Sequence, residues 1–92
     1  MKYQIKTTKQ FEKSVDKCIR RGYPMEKLKT AIRILESDGI LPASYMPHKL
    51  SGKWQGKWEC HLQPDWLLVW EPHDKELILI LVSTGTHADL FK

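Results

Sequence analysis

The chain has 92 residues, 41% apolar and 10% aromatic, with 15 Lys and Arg against 11 Asp and Glu, a net charge of +4. That is enough for one compact domain over residues 1–92 and too little for a second. The longest apolar run, "LILILV" at 77–82, is far too short to cross a membrane. The opening "KYQIKTTKQF" lacks the apolar stretch of a signal peptide, so a soluble, cytoplasmic protein is expected.

The charge is uneven. Residues 1–39 hold ten basic and five acidic groups, residues 40–61 three and one, and residues 62–92 two and five. A basic front two-thirds suits a polyanionic partner such as nucleic acid.

"KYQIK" alternates polar and apolar residues and predicts a short strand over 2–6. "TTKQ" reads as a capping box with Thr7 as N-cap and Gln10 three residues on. Phe11, Val15, Cys18 and Ile19 then form one helical stripe, ended by Gly22. Pro24 suits the first turn of a second helix. Its apolar face is Met25, Leu28, Ala31, Ile32 and Leu35, and Gly39 closes it. Two such helices joined by a few residues make an antiparallel hairpin.

From residue 40 the period changes. Two prolines and a Ser-Gly turn predict loop, with a short strand near Pro47–Leu50. "KWECHL" alternates, with Trp58, Cys60 and Leu62 on one face and Lys57, Glu59 and His61 on the other. "WLLVW" and "LILILV", divided by a turn at "PHDK", read as covered or central strands. The order β-α-α-β-β-β defines an α+β domain, a helical hairpin packed on a mainly antiparallel sheet.

Neither Cys18 nor Cys60 belongs to a metal or redox pattern, and both fall at core spacings, so buried thiols are expected. Among the histidines, His73 sits in a polar turn and reads as solvated. His48, His61 and His87 lie at strand ends, near Asp65. Such a set admits metal binding or acid–base chemistry. There is no HxH or HxxxH pair, so the spacing favours proton transfer, with no metal and no cofactor. Lys49, Lys53 and Lys57 interleave with Trp54 and Trp58, which suits phosphate contact beside base stacking.

"PHKLSGKWQGKWECHLQPDWLLVW" followed by "STGTHADLF" resembles the YafQ branch of the RelE/ParE superfamily of bacterial type II toxins, over nearly the whole chain. The resemblance implies a RelE-like fold and a ribosome-dependent endoribonuclease. Such an enzyme cuts mRNA in the A site without a metal and is neutralised by a cognate antitoxin. It assigns catalytic roles to His48, His61, Asp65 and His87, and site-shaping roles to Trp66 and Phe91. The branch commonly has arginine where this chain has Ser83. Arginine offers a charged bidentate fork and serine one neutral donor, so either Lys49, Lys53 or Lys57 supplies the charge from another strand, or the toxin is weaker or more dependent on the ribosome. Two other functions compete: a toxin of the same superfamily that binds a target such as gyrase, and a non-catalytic module binding nucleic acid or protein. Neither needs the histidine set.

Overall fold

The computed structural model describes residues 2–91; Met1 and Lys92, the ends of the expected 1–92 domain, lie outside it. Five strands form one sheet: β1 Gln4–Thr7, β2 His48–Lys49, β3 Trp58–Gln63, β4 Trp66–His73 and β5 Ile78–Gly85, in the order β1-β5-β4-β3-β2. Successive strands β2 to β5 pair antiparallel. β1 pairs parallel with β5, because the helical hairpin carries the chain across the sheet between them. No helix among the described residues is long and apolar enough to cross a membrane.

Helix α1 spans Lys9–Arg20 and α2 Met25–Asp38. The N-cap of α1 is Thr8, one residue later than the spacing of "TTKQ" predicts. Thr7 is still paired with Leu81 as a strand residue, so it is Thr8 Oγ1 that accepts from Phe11 N at 3.0 Å. Phe11 and Cys18 are buried as expected, but Ile19 is 54% exposed, at the rim of the stripe. The helix ends in a Schellman motif: Tyr23 N donates to Cys18 O and Gly22 N to Ile19 O. Pro24 stands just outside α2 as its N-cap, not in its first turn. Gly39 ends α2 at φ +77°, and a Cβ there would lie 2.2 Å from the Tyr3 ring, so two constraints demand glycine.

Both helices pack on one face of the sheet. Phe11, Cys18, Leu28, Ala31 and Leu35 meet Cys60, Leu62, Trp66, Leu68, Trp70, Leu79 and Leu81. Each leucine and phenylalanine among them contributes about 1.5–3 kcal/mol by leaving water. The β4–β5 turn falls at 74–77, later than "PHDK", because β4 runs on to His73, which pairs with Ile78.

Two irregularities decide what the opposite face carries. In β5 the register slips between Val69 and Trp70: Trp70 faces Leu81 while Val69 faces Ser83, leaving Val82 as the extra residue. A one-residue slip exchanges faces. It turns Ser83 and Gly85 away from the helices and Thr84 towards them. In β3 a second shift lies between His61 and Gln63, just before the turn that carries Asp65.

Candidate active site

The helix-free face is built by strand alternation. Glu59 and His61 sit two apart on β3, so their side chains share that face. β2 sets His48 directly opposite Glu59, and their side chains meet, Nε2 to Oε1 at 3.2 Å. Glu59 is only 4% exposed, an unusual setting for a carboxylate unless it is paired.

His87 arrives from the far end of β5. After Gly85 a short helix, α3, spans His87–Leu90. Its capping box is reciprocal: Asp89 N donates to Thr86 Oγ1 at 3.1 Å, and Thr86 N to Asp89 Oδ2 at 2.9 Å. Asp89 also accepts from Arg21 at 2.6 and 3.1 Å and from Lys17 at 3.2 Å. The Arg21 hydrogen bonds foremost hold the Asp89 carboxyl far below the usual range. α3 is thereby tied to the end of α1. Gly85 permits this contact, since a Cβ there would meet Asp89 Oδ2 at 2.8 Å.

With α3 so placed, Asp65 Oδ1 accepts two hydrogen bonds from His87, from the backbone N at 2.9 Å and from Nδ1 at 2.6 Å. The backbone bond first and the ring bond second lower the Asp65 pKa. His61 Nδ1 donates to Pro64 O at 3.3 Å. A carbonyl and a carboxylate only accept, so both rings carry their proton on Nδ1 and keep Nε2 for other work. The two rings stand 5.8 Å apart, centre to centre. Ligand atoms of Glu59, His61 and His87 all lie within 4.8 Å of one another. Phe91 flanks His87 at 6.5 Å and is met edge-on by Trp54 at 5.2 Å.

His48, His61, Asp65 and His87 are therefore brought together, linked through Glu59. The other candidates divide. Trp54 and Phe91 border the histidines. Trp66 is 1% exposed beneath the helices, its Nε1 donating to Thr84 Oγ1 at 2.9 Å. Lys49 points to the helix side, its Nζ 5.9 Å from the Trp58 ring centre. Lys57 is engaged by Glu71 at 3.2 Å, two residue rows from His61. Lys53 is exposed in the turn before Trp54. Ser83 is 2% exposed, and its Oγ has no hydrogen-bond partner among the described residues. His73 lies at the other end of β4 and meets Glu71 at 2.6 Å, so it is paired as well as partly solvated. Cys18 and Cys60 are buried free thiols, and burial raises the Cys60 pKa to about 12, far from nucleophilic use.

Glu59 is the site residue that spacing alone underrates. Its signal is E-x-H on a strand, a same-face pair. Asp89 has a signal too, the T-x-x-D of "THAD" after a strand.

A family model described as "Bacterial toxin of type II toxin-antitoxin system, YafQ" matches residues 3–92. The mRNA interferase toxin YafQ of Escherichia coli K12 is 39% identical over 88 residues, 95% of this chain and 94% of that protein. The crystal structure of the E. coli DinJ-YafQ toxin-antitoxin complex contains a chain that superposes with a TM-score of 0.90 at 35% identity, with both chains covered in full. A metal-bound toxin from Helicobacter pylori gives 0.88 at 34% identity, over 97% of this chain and 99% of that one.

Proposed function

This chain belongs to the YafQ family of bacterial type II toxins, and from that membership we propose that it is an mRNA endoribonuclease held in check by a cognate antitoxin. It acts in the cytoplasm, on messages in the ribosomal A site, without a metal. The observation that carries the reading is that the His61 and His87 rings stand 5.8 Å apart, each engaged through Nδ1 and so left with Nε2 for proton transfer.

Cleavage of RNA by its own 2′-hydroxyl needs three things. A base takes the 2′-proton, the oxygen attacks the adjacent phosphorus, and an acid protonates the departing 5′-oxygen. The products are a 2′,3′-cyclic phosphate and a 5′-hydroxyl. His87 suits the acid, because Asp65 Oδ1 holds its Nδ1 at 2.6 Å and aims Nε2 outward. His61 suits the base, since a carbonyl engages its Nδ1 and leaves Nε2 to accept a proton. Glu59, buried beside His48, fixes that ring on the helix-free face, where His48 faces the phosphate in place of the arginine that Ser83 does not supply. Trp54 and Phe91 offer aromatic surface to bases next to the cut.

The test is inducible expression with primer extension on one message, with and without translation, and with and without the antitoxin encoded beside the toxin. Cuts confined to the translated message and abolished by the antitoxin are expected. Arrest of growth with intact messages would instead favour a gyrase-type target, and no arrest a binding module.

A further inference from the structure

We propose that the groove beside His61, between the start of α2 and the turn before β2, seats the nucleotide 5′ of the cut and reads its base. The inference rests on the nuclease reading above and adds to it the direction in which the message crosses the site.

β2 is two residues long and covers the outer edge of β3 only at Trp58 and Glu59. From Cys60 onward no strand flanks that edge. A single helical turn, Ala43–Tyr45, and the first turns of α2 wall it instead. Between them lies an open groove of about 410 Å³, whose lining includes Lys27, Thr30, Ser44, Tyr45 and His61. That volume falls in the range of small-ligand pockets, about 300–1,000 Å³.

His61 therefore belongs to the active site and to the groove at once. The proton that His61 takes comes from the 2′-hydroxyl of the nucleotide 5′ of the cut. The ribose of that nucleotide lies against His61 Nε2, and its base falls on the side that His61 lines. The departing oxygen belongs to the next nucleotide, which His87 serves. Phe91 stands 6.5 Å from His87, with Trp54 edge-on to it at 5.2 Å. The message then runs 5′ to 3′ from the α2 groove towards the Trp54–Phe91 pair.

The lining suits a base better than a bare polyanion. Tyr45 is half-buried, packed against the core while its remaining surface faces the groove, as stacking on a base requires. Thr30 Oγ1 accepts from Arg33 at 3.3 Å and keeps its own proton to donate. Ser44 is exposed, and its hydroxyl both donates and accepts. Together the two hydroxyls can pair with the edge of a base. The charge is mixed: Glu26 also lines the groove, 3.9 Å from Lys29 Nζ, and Lys27 offers its ammonium to a neighbouring phosphate.

The experiment expresses the full chain in growing cells and sequences the new 5′ ends on translated messages, which gives the base on each side of every cut. Tyr45→Ala is expected to lower cleavage about tenfold, the scale of one lost stacking contact, and most where a purine stands 5′ of the cut. Tyr45→Phe, which keeps the ring, recovers most of that loss. Thr30→Val with Ser44→Ala flattens the base preference 5′ of the cut and leaves the 3′ preference in place. Trp54→Ala does the reverse. Thermal melts check folding, and the Thr30 and Ser44 variant, changed only at exposed positions, carries the test if Tyr45→Ala does not fold. An unchanged 5′ preference in the groove variants overturns the subsite, and so does a loss that ignores the neighbouring base. A change at the 3′ base instead overturns the direction. Intact messages with the unsubstituted chain refute the nuclease reading itself, and this inference with it.

Discussion

Replacing Asp89 by alanine removes the carboxylate that fastens α3 to α1. Its oxygens accept from Thr86 N, from Arg21 twice and from Lys17. The cap bond contributes about 1 kcal/mol. The ion pairs are partly screened, since the Arg21 and Lys17 side chains are 32% and 52% exposed, and about 1 kcal/mol more is a fair allowance for what the 17%-exposed carboxylate gains from them. A loss of about 2 kcal/mol lowers Tm by about 8–16 °C in a domain of this size. Because His87 rides on α3, the same loss undocks it for much of the time and cleavage falls about tenfold or more. Asp89→Asn keeps an acceptor for Thr86 N and loses only the charge, so its effect is smaller. The assay pairs thermal melts with cleavage rates for Asp89→Ala, Arg21→Ala and the double variant. The double variant is expected to lose less than the two single losses combined, because both act through one contact. Additive losses, or a destabilised Asp89→Ala protein with full cleavage, would refute the latch.

Gly85→Ala is expected to reproduce the Asp89→Ala phenotype, since the added methyl collides with that carboxylate at 2.8 Å; equal melts and rates would show that α3 yields freely. The acid limb of stability follows from Asp65 and Asp89, whose pKa values are lowered by His87 and Arg21 respectively. Lowered carboxyls stabilise above the unfolded value near 4 and lose that contribution as pH falls through the folded values. Melts from pH 7 to 2 are therefore flat above about pH 5 and fall below 4, and Asp89→Asn flattens the fall; a variant that keeps the full fall contradicts the assignment. Ser83→Ala removes a buried hydroxyl that has no partner among the described residues and is expected to hold or raise Tm, with cleavage unchanged. A clear loss of cleavage would mean that the hydroxyl reaches the substrate.

Most of the fold was legible because periodicity carries it. The helical stripe of α2 and the alternation of β3 are local patterns that packing then obeys. What the sequence concealed was register. Nothing in "LILILVSTG" announces that Val82 bulges, yet that slip moves Ser83 and Gly85 off the helix-covered face and Thr84 onto it. Cross-strand partners are equally silent, so Glu59 looked like one more polar residue until β2 set His48 against it. Lys49 and Lys57 show the converse: their charge suited phosphate, but a tryptophan ring and Glu71 engage them. Thr86-x-x-Asp89 was readable as a capping box, and only its short helix hid it.

The pairing of His61 as base with His87 as acid is tested most directly by an RNA whose scissile 5′-bridging oxygen is replaced by sulfur, since a departing thiolate needs no proton. With the ordinary message, His61→Ala and His87→Ala each lose about 10²–10⁴-fold. With the sulfur substrate, His87→Ala is expected to recover most of its rate and His61→Ala to stay inactive. Equal recovery by both variants, or by neither, would contradict the division of proton transfer between the two rings.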